Sequence, residues 1–152
     1  MERAVTAACV QAEPAIFDRE ATLDRLERLA AEAASNDAEL VVFPETFVAV
    51  YPSSRWAKAF ASWQDAGAKE TFARIAQNAV AVGSASERRL GAVAQSLGIW
   101  LVTGINEVEA ERSGTIYNAF LVHAPDGSLA LHHRKLTPTN QSALSLARTA
   151  AA

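Results

Sequence analysis

Cysteine is almost missing from this chain: Cys9 is the only one in 152 residues. One thiol closes no internal disulfide and builds no cysteine-rich zinc site, so neither device holds the fold together. Positive charge is not in excess either. The formal net charge is −3, which excludes the basic field that non-specific nucleic-acid binding requires, and nucleic acid is not expected as a partner. No apolar run approaches the roughly 18 residues of a membrane span, and Met1 to Val5 lacks the charged-then-apolar layout of a signal peptide. The expectation is a cytoplasmic protein with no membrane partner. What the chain does have is 50% hydrophobic against 20% charged residues, enough for one domain held by burial.

Periodicity places the elements. Residues 5–10 are small and apolar and stop at Gln11-Ala12-Glu13-Pro14, which predicts a buried strand containing Cys9. From Asp18 to about Ala34, the residues Leu23, Leu26, Ala30 and Ala33 recur at helical spacing, with Asp24 and Arg28 as an i,i+4 ion pair. Leu40 to Phe43 is a continuous apolar run, expected as a strand buried on both faces. Strand, helix and strand make a βαβ opening. Trp56, Phe60 and Trp63 share a face if residues 52–68 are helical, an arrangement that suits packing. Further helices are predicted over 70–81 and 87–97, the second with Ser86 as N-cap and Gly98 as terminator. Strands follow over 99–105, 117–123 and 129–134, the last two joined in a hairpin by Ala124-Pro125-Asp126-Gly127-Ser128. The class is α/β, without internal repeats.

Glu45 follows Pro44 at the exit of an apolar strand, a place where α/β sheets commonly bind ligands. Burial there raises a carboxyl pKa and a nearby ammonium lowers it, and that opposition tunes a glutamate as a general base. Taken alone, position favours the plainer account, an exposed loop carboxylate. Lys135 closes a strand in which Leu129, Leu131 and His133 face its own side, and Ala130, His132 and Arg134 the other. An ammonium there can hold a developing oxyanion; a basic cluster that guards an edge strand is again plainer. His132 and His133 point to opposite faces and cannot meet on one ion, and no carboxylate stands at ligand spacing beside them or His123. No metal is expected, and no cofactor.

The two runs together change the balance. Val41-Val42-Phe43-Pro44-Glu45-Thr46-Phe47 and His132-His133-Arg134-Lys135-Leu136-Thr137-Pro138-Thr139 resemble the nitrilase, or carbon–nitrogen hydrolase, superfamily. Asn78-Ala79-Val80-Ala81-Val82-Gly83-Ser84, Thr103-Gly104-Ile105-Asn106-Glu107 and Thr115-Ile116-Tyr117-Asn118 also look like that family, in particular its nitrilase branch. The resemblance covers roughly residues 4–139. It implies an αββα sandwich, of which this chain supplies an incomplete N-terminal part, and a Glu, Lys, Cys site that attacks a nitrile or amide carbon through a thiolate. Glu45 matches the general base and Lys135 the lysine that stabilises the tetrahedral intermediate. Tyr51-Pro52 resembles the substrate-side loop of nitrilases, which makes Tyr51 a substrate-binding candidate; a turn with a packed aromatic fits it equally. The implied partner is a small nitrile or amide, and the family commonly forms homo-oligomers.

The family's cysteine would follow a further strand beyond Lys135, and Asn140-Gln141-Ser142-Ala143 stands where a second, supporting glutamate is usual. The expectation is a truncated hydrolase domain over residues 1–139 and a non-homologous or frayed tail over 140–152. Cys9, between Ala8 and Val10, lacks the cationic neighbours of a reactive thiolate and is read as a packing residue. Ser142 and Ser145 have no base near them in sequence. Loss of the nucleophile of a covalent hydrolase costs on the order of 10⁶ in turnover, about 8 kcal/mol, so the chain alone is expected to be inactive. The competing reading is a non-catalytic association or ligand-binding module on the same scaffold. Half a sandwich would also leave one sheet face uncovered, which predicts self-association.

Overall fold

Five strands line up in chain order in a computed structural model that describes residues 3–50, 66–109 and 112–137. The described elements are β1 (Ala7–Cys9), α1 (Arg19–Ala34), β2 (Leu40–Val42), α2 (Ala66–Asn78), α3 (Ala85–Leu97), β3 (Trp100–Glu109), β4 (Arg112–His123) and β5 (Leu129–Arg134). β1, β2 and β3 run parallel, and β3, β4 and β5 are successively antiparallel. Tyr51, Trp56, Phe60, Trp63 and the tail over 140–152 lie outside the described residues.

One face of this sheet is covered by α1 and α3. Val41, Leu101, Ile105, Ala119 and Leu121 point into that layer and meet Leu23, Leu26, Ala30, Leu90 and Ala94 from the helices. Arg89 on α3 clamps the two helices together, reaching Glu27 at 2.7 Å and Asp24 at 2.5 Å on α1. Asp24 is therefore not the partner of Arg28, which pairs with Glu32 at 3.8 Å; the tertiary partner Arg89 is held between the two helices at 29% exposure, against 66% for Arg28, and is less screened by water. The register puts Ala7, Cys9, Leu40, Val42, Trp100, Val102, Phe120, Val122, Leu131 and His133 on the opposite face. No described helix covers these residues, and Trp100 and Leu131 are 44% and 49% exposed; only farther along β3 and β4 does α2 pack, with Ile75 against Val108 and Ile116.

That open face corrects two expectations. β1 is not buried: Ala7 and Cys9 are exposed, because β1 is an edge strand with α1 behind one side only. β2 is not buried on both faces either; Val41 is buried while Leu40 and Val42 are half-buried on the uncovered side.

Helix ends moved where side chains capture backbone groups. α2 stops at Asn78 rather than 81, because Arg19 donates to the carbonyls of Gln77 and Ala79 and takes the Asn78 side-chain oxygen on its own N–H. The released chain pairs Val80 with Glu107 on the flank of β3. α3 is capped by Ser84, not Ser86: Ser84 Oγ accepts from Glu87 N, and Glu87 Oε2 reaches back past the cap to accept from Gly83 N, close to a capping box. Gly98 ends it as expected, in the left-handed conformation at φ 65°. The hairpin of β4 and β5 is present, but β3 and β4 are longer than expected and pair with each other from Leu101 to Glu109. Asn106, Glu107 and Glu109 break the apolar pattern there and are nonetheless strand residues.

Candidate active site

Glu45 and Lys135, ninety residues apart in sequence, meet at the same end of the sheet. Lys135 Nζ donates to Glu45 Oε1 at 2.7 Å. Glu45 lies in the turn that follows β2, where Phe43 N donates to Val102 O and Phe47 N to Pro44 O. This turn lies directly against β3 at Gly104. A Cβ added there would meet Pro44 O at 2.2 Å, Thr46 N at 2.7 Å and Glu45 Cα at 2.8 Å, so only glycine admits the close approach.

The segment after Glu45 is fastened by a residue that sequence reading did not single out. Asn106 Oδ1 accepts from the N–H groups of Ala49 and Val50, both at 3.1 Å, and Asn106 is 1% exposed. Val48 and Ile105 form a further parallel bridge. β3 thus carries both the space for the Glu45 turn and the clasp that holds it.

Lys135 arrives on β5. Its backbone N–H donates to Asn118 O at 2.8 Å, one step beyond the last strand residue, so the β4 and β5 ladder fixes where the side chain starts. Behind it, Arg134 points to the other face and is held by Glu107 at 2.6 Å and Glu109 at 2.5 Å, with its guanidinium 4.0 Å from the Tyr117 ring centre. His132, also on that side, bonds Glu107 at 2.7 Å. The basic run therefore splits by strand parity: Arg134 and His132 bond a buried glutamate, and His133 and Lys135 face the open side.

There a depression of about 400 Å³ is lined by Phe43, Glu45, Gly104, Asn118, Phe120, His133 and Lys135, among others. His133 packs on Phe120 with ring centres 5.1 Å apart. Burial pushes the Glu45 carboxyl up, but hydrogen bonds from Lys135 and Asn118 and the charge of Lys135 outweigh it and hold the pKa below 4.5. Glu45 is thus a carboxylate at neutral pH, poised to accept a proton in an apolar-walled hollow. Among the described residues no group of three or more His, Cys, Asp or Glu side chains is placed to hold a metal ion. Cys9 is not in this hollow: it lines a separate depression with Thr6, Gln11 and Leu29, and β2 and β3 stand between β1 and β4. Among the described residues, no helix is long and apolar enough to cross a membrane.

Asn118 is the further pocket residue that sequence reading passed over, quoted only inside its motif. Its signal was a polar amide within an apolar strand, a group that must find a partner when buried. It is 6% exposed and donates Nδ2 to Glu45 Oε1 at 2.5 Å.

Comparison with known proteins bears on this geometry. The sequence profile of the carbon-nitrogen hydrolase family matches residues 6–147. The chain is 39% identical over 136 residues to a bifunctional nitrilase/nitrile hydratase of Nicotiana tabacum, covering 89% of this chain and 38% of that protein. It is 37% identical over 133 residues to an aliphatic nitrilase of Rhodococcus rhodochrous, covering 88% and 34%. The chain therefore spans somewhat over a third of the length of these relatives. Among solved structures, an amidase from Nesterenkonia sp. superimposes with a TM-score of 0.67 at 18% identity, covering 97% of this chain and 49% of that one. A carbon-nitrogen hydrolase from Helicobacter pylori does so with a TM-score of 0.68 at 19% identity, covering 96% and 45%. At those identities the structural likeness concerns the fold: these strands and helices correspond to about half of the αββα sandwich.

Proposed function

The chain belongs to the carbon–nitrogen hydrolase family, and from that membership we propose that it is the Glu and Lys half of a nitrilase-type site that hydrolyses small nitriles or amides. The observation that carries this reading is the 2.7 Å contact of Lys135 Nζ with Glu45 Oε1 in an apolar-walled hollow. Glu45 is the general base that takes the proton of an attacking thiol. Lys135 stabilises the negative charge that develops on the nitrile nitrogen or amide oxygen as the thiolate adds to carbon. The likeness to proteins named as nitrilases supports nitriles as the substrate class. Tyr51, which resembles a substrate-side residue, is the proposed third member.

The thiol is not among the 152 residues in a usable place. Cys9 is the only cysteine, and it sits on the far edge strand in a different depression. The chain alone is therefore inactive. Incubated with a panel of nitriles and amides, it should release no ammonia and carry no thioimidate or acyl adduct by mass spectrometry; turnover with an adduct on Cys9 would sink this assignment. The hydrolase reading itself is tested by replacing the corresponding part of the Rhodococcus rhodochrous aliphatic nitrilase with residues 4–139. The chimaera should hydrolyse a nitrile, and Glu45→Gln should cost it at least about 10² in kcat. An active chimaera indifferent to that substitution would remove Glu45 from the mechanism.

The uncovered sheet face supports self-association of the isolated chain. Trp100, Leu131 and the half-buried Leu40, Val42, Phe120 and Val122 form one apolar surface. Size-exclusion chromatography should find the chain larger than its 16.2 kDa and the double variant Trp100→Glu, Leu131→Glu shifted toward that mass. A parent that elutes as a monomer would count against it.

A further inference from the structure

We propose that Asn118 is a positioning residue that sets both members of the pair and divides the labour of the two Glu45 oxygens. Its side chain and its backbone act on different partners. The amide Nδ2 donates to Glu45 Oε1, while the backbone carbonyl accepts from Lys135 N–H at 2.8 Å. A carboxylate accepts only, which fixes the amide with its nitrogen toward Glu45. One residue of β4 thus anchors the turn after β2 on one side and the exit of β5 on the other.

Both donors converge on the same oxygen. Lys135 Nζ and Asn118 Nδ2 reach Oε1, and no described residue donates to Oε2. Oε1 is engaged by two donors, one of them charged, so its lone pairs are committed. The proton removed from an attacking thiol goes to Oε2, forming an O–H bond there while the S–H electron pair stays on sulfur. Asn118 keeps the carboxylate from rotating, because a free carboxylate with Lys135 alone can present either oxygen. The uncharged amide does so without adding a second charge beside Lys135, and among the described residues the other ionisable group on the hollow is His133. Asn118 itself touches no substrate in this account.

This inference rests on the reading of Glu45 as a base, but its test does not require turnover. In the full chain labelled with ¹³C at glutamate and aspartate carboxyls, NMR titration follows Glu45 directly. Asn118→Ala should move the Glu45 pKa up toward the ordinary 4.5, because a hydrogen bond to the charged form is lost. Asn118→Asp keeps the shape and replaces the donor with a second carboxyl. The two groups should then titrate as a coupled pair, one apparent pKa well above the ordinary carboxylate range and the other below it. At low pH the protonated aspartate restores the donor. An unchanged Glu45 titration in Asn118→Ala, or two independent titrations near ordinary values in Asn118→Asp, would overturn the proposal. If the alanine variant does not fold, the isosteric aspartate variant decides alone. A chimaera indifferent to Glu45→Gln would instead sink the hydrolase reading and leave these titrations as they are.

Discussion

Glu107→Ala is expected to destabilise the folded chain by about 3–5 kcal/mol, the usual cost of removing one partner from a buried ion pair. Glu107 is 2% exposed and is the acceptor for Arg134 Nε, Arg134 Nη2 and His132 Nε2. Alanine leaves a cavity and an arginine whose remaining carboxylate partner is Glu109. Against a total stability of about 5–15 kcal/mol for a domain of ordinary size, urea denaturation should show either a much lower midpoint or no folded baseline. Glu107→Met with Arg134→Met should recover most of the loss, because the buried carboxylate and its guanidinium are removed together, while Glu109 and His132, which lose a partner, are 30% and 31% exposed and keep access to water. A single variant within about 1 kcal/mol of the parent would show that the network contributes little.

The same carboxylate gives the acid limb of the stability profile. Burial raises the Glu107 pKa, but hydrogen bonds and charge from Arg134 and His132 outweigh it, and the folded-state value lies below 4.5. A group depressed in the folded state contributes stability that is fully present above its unfolded pKa and is lost as pH falls through the folded one. The parent should therefore lose stability on acidification below about 4.5, and Glu107→Ala should show a flatter slope in that window. Arg134 is also the residue before Lys135, so loosening it frees the strand end that delivers the ammonium to the hollow.

What was legible in the sequence follows from how local each cause is. A four-residue apolar run that ends in Pro44-Glu45 announces a strand exit by itself, and the parity of residues 129–135 separates Lys135 from Arg134 by the pleat alone. Cys9 was misjudged because Val5 to Val10 is as apolar as an interior strand; its exposure comes from the strand's place at the sheet edge, which no local pattern encodes. The β3 and β4 pairing was hidden for a related reason. Asn106 and Glu107 look like loop residues until the register sets Glu107 behind Arg134 and aims Asn106 at the backbone of Ala49 and Val50. Asn118 is the sharpest case. Its work on Glu45 requires β2, β4 and β5 to be adjacent to one hollow, a relation among three distant segments.

Gly104→Ala is the smallest change expected to dismantle the site. The added methyl would stand 2.2 Å from Pro44 O, 2.7 Å from Thr46 N and 2.8 Å from Glu45 Cα, all of them backbone atoms that no rotamer change can move aside. The turn must lift off β3, straining the bonds from Val48 N to Gly104 O and from Asn106 N to Val48 O. Overpacking of this kind costs about 1–3 kcal/mol, so the thermal midpoint should fall by roughly 2–12 °C. The displacement also carries Glu45 away from Lys135 and Asn118, whose hydrogen bonds depend on reach. Its carboxyl, released from both donors, should titrate close to the ordinary 4.5, and a chimaeric enzyme with this substitution should lose activity as Glu45→Gln does. The two readouts separate the causes: a lower midpoint with an unchanged Glu45 titration would mean that the turn shifts as a rigid unit together with Lys135. A variant that matches the parent in both would mean that β3 does not press on this turn in solution, and the account of how the glutamate is placed would have to be abandoned.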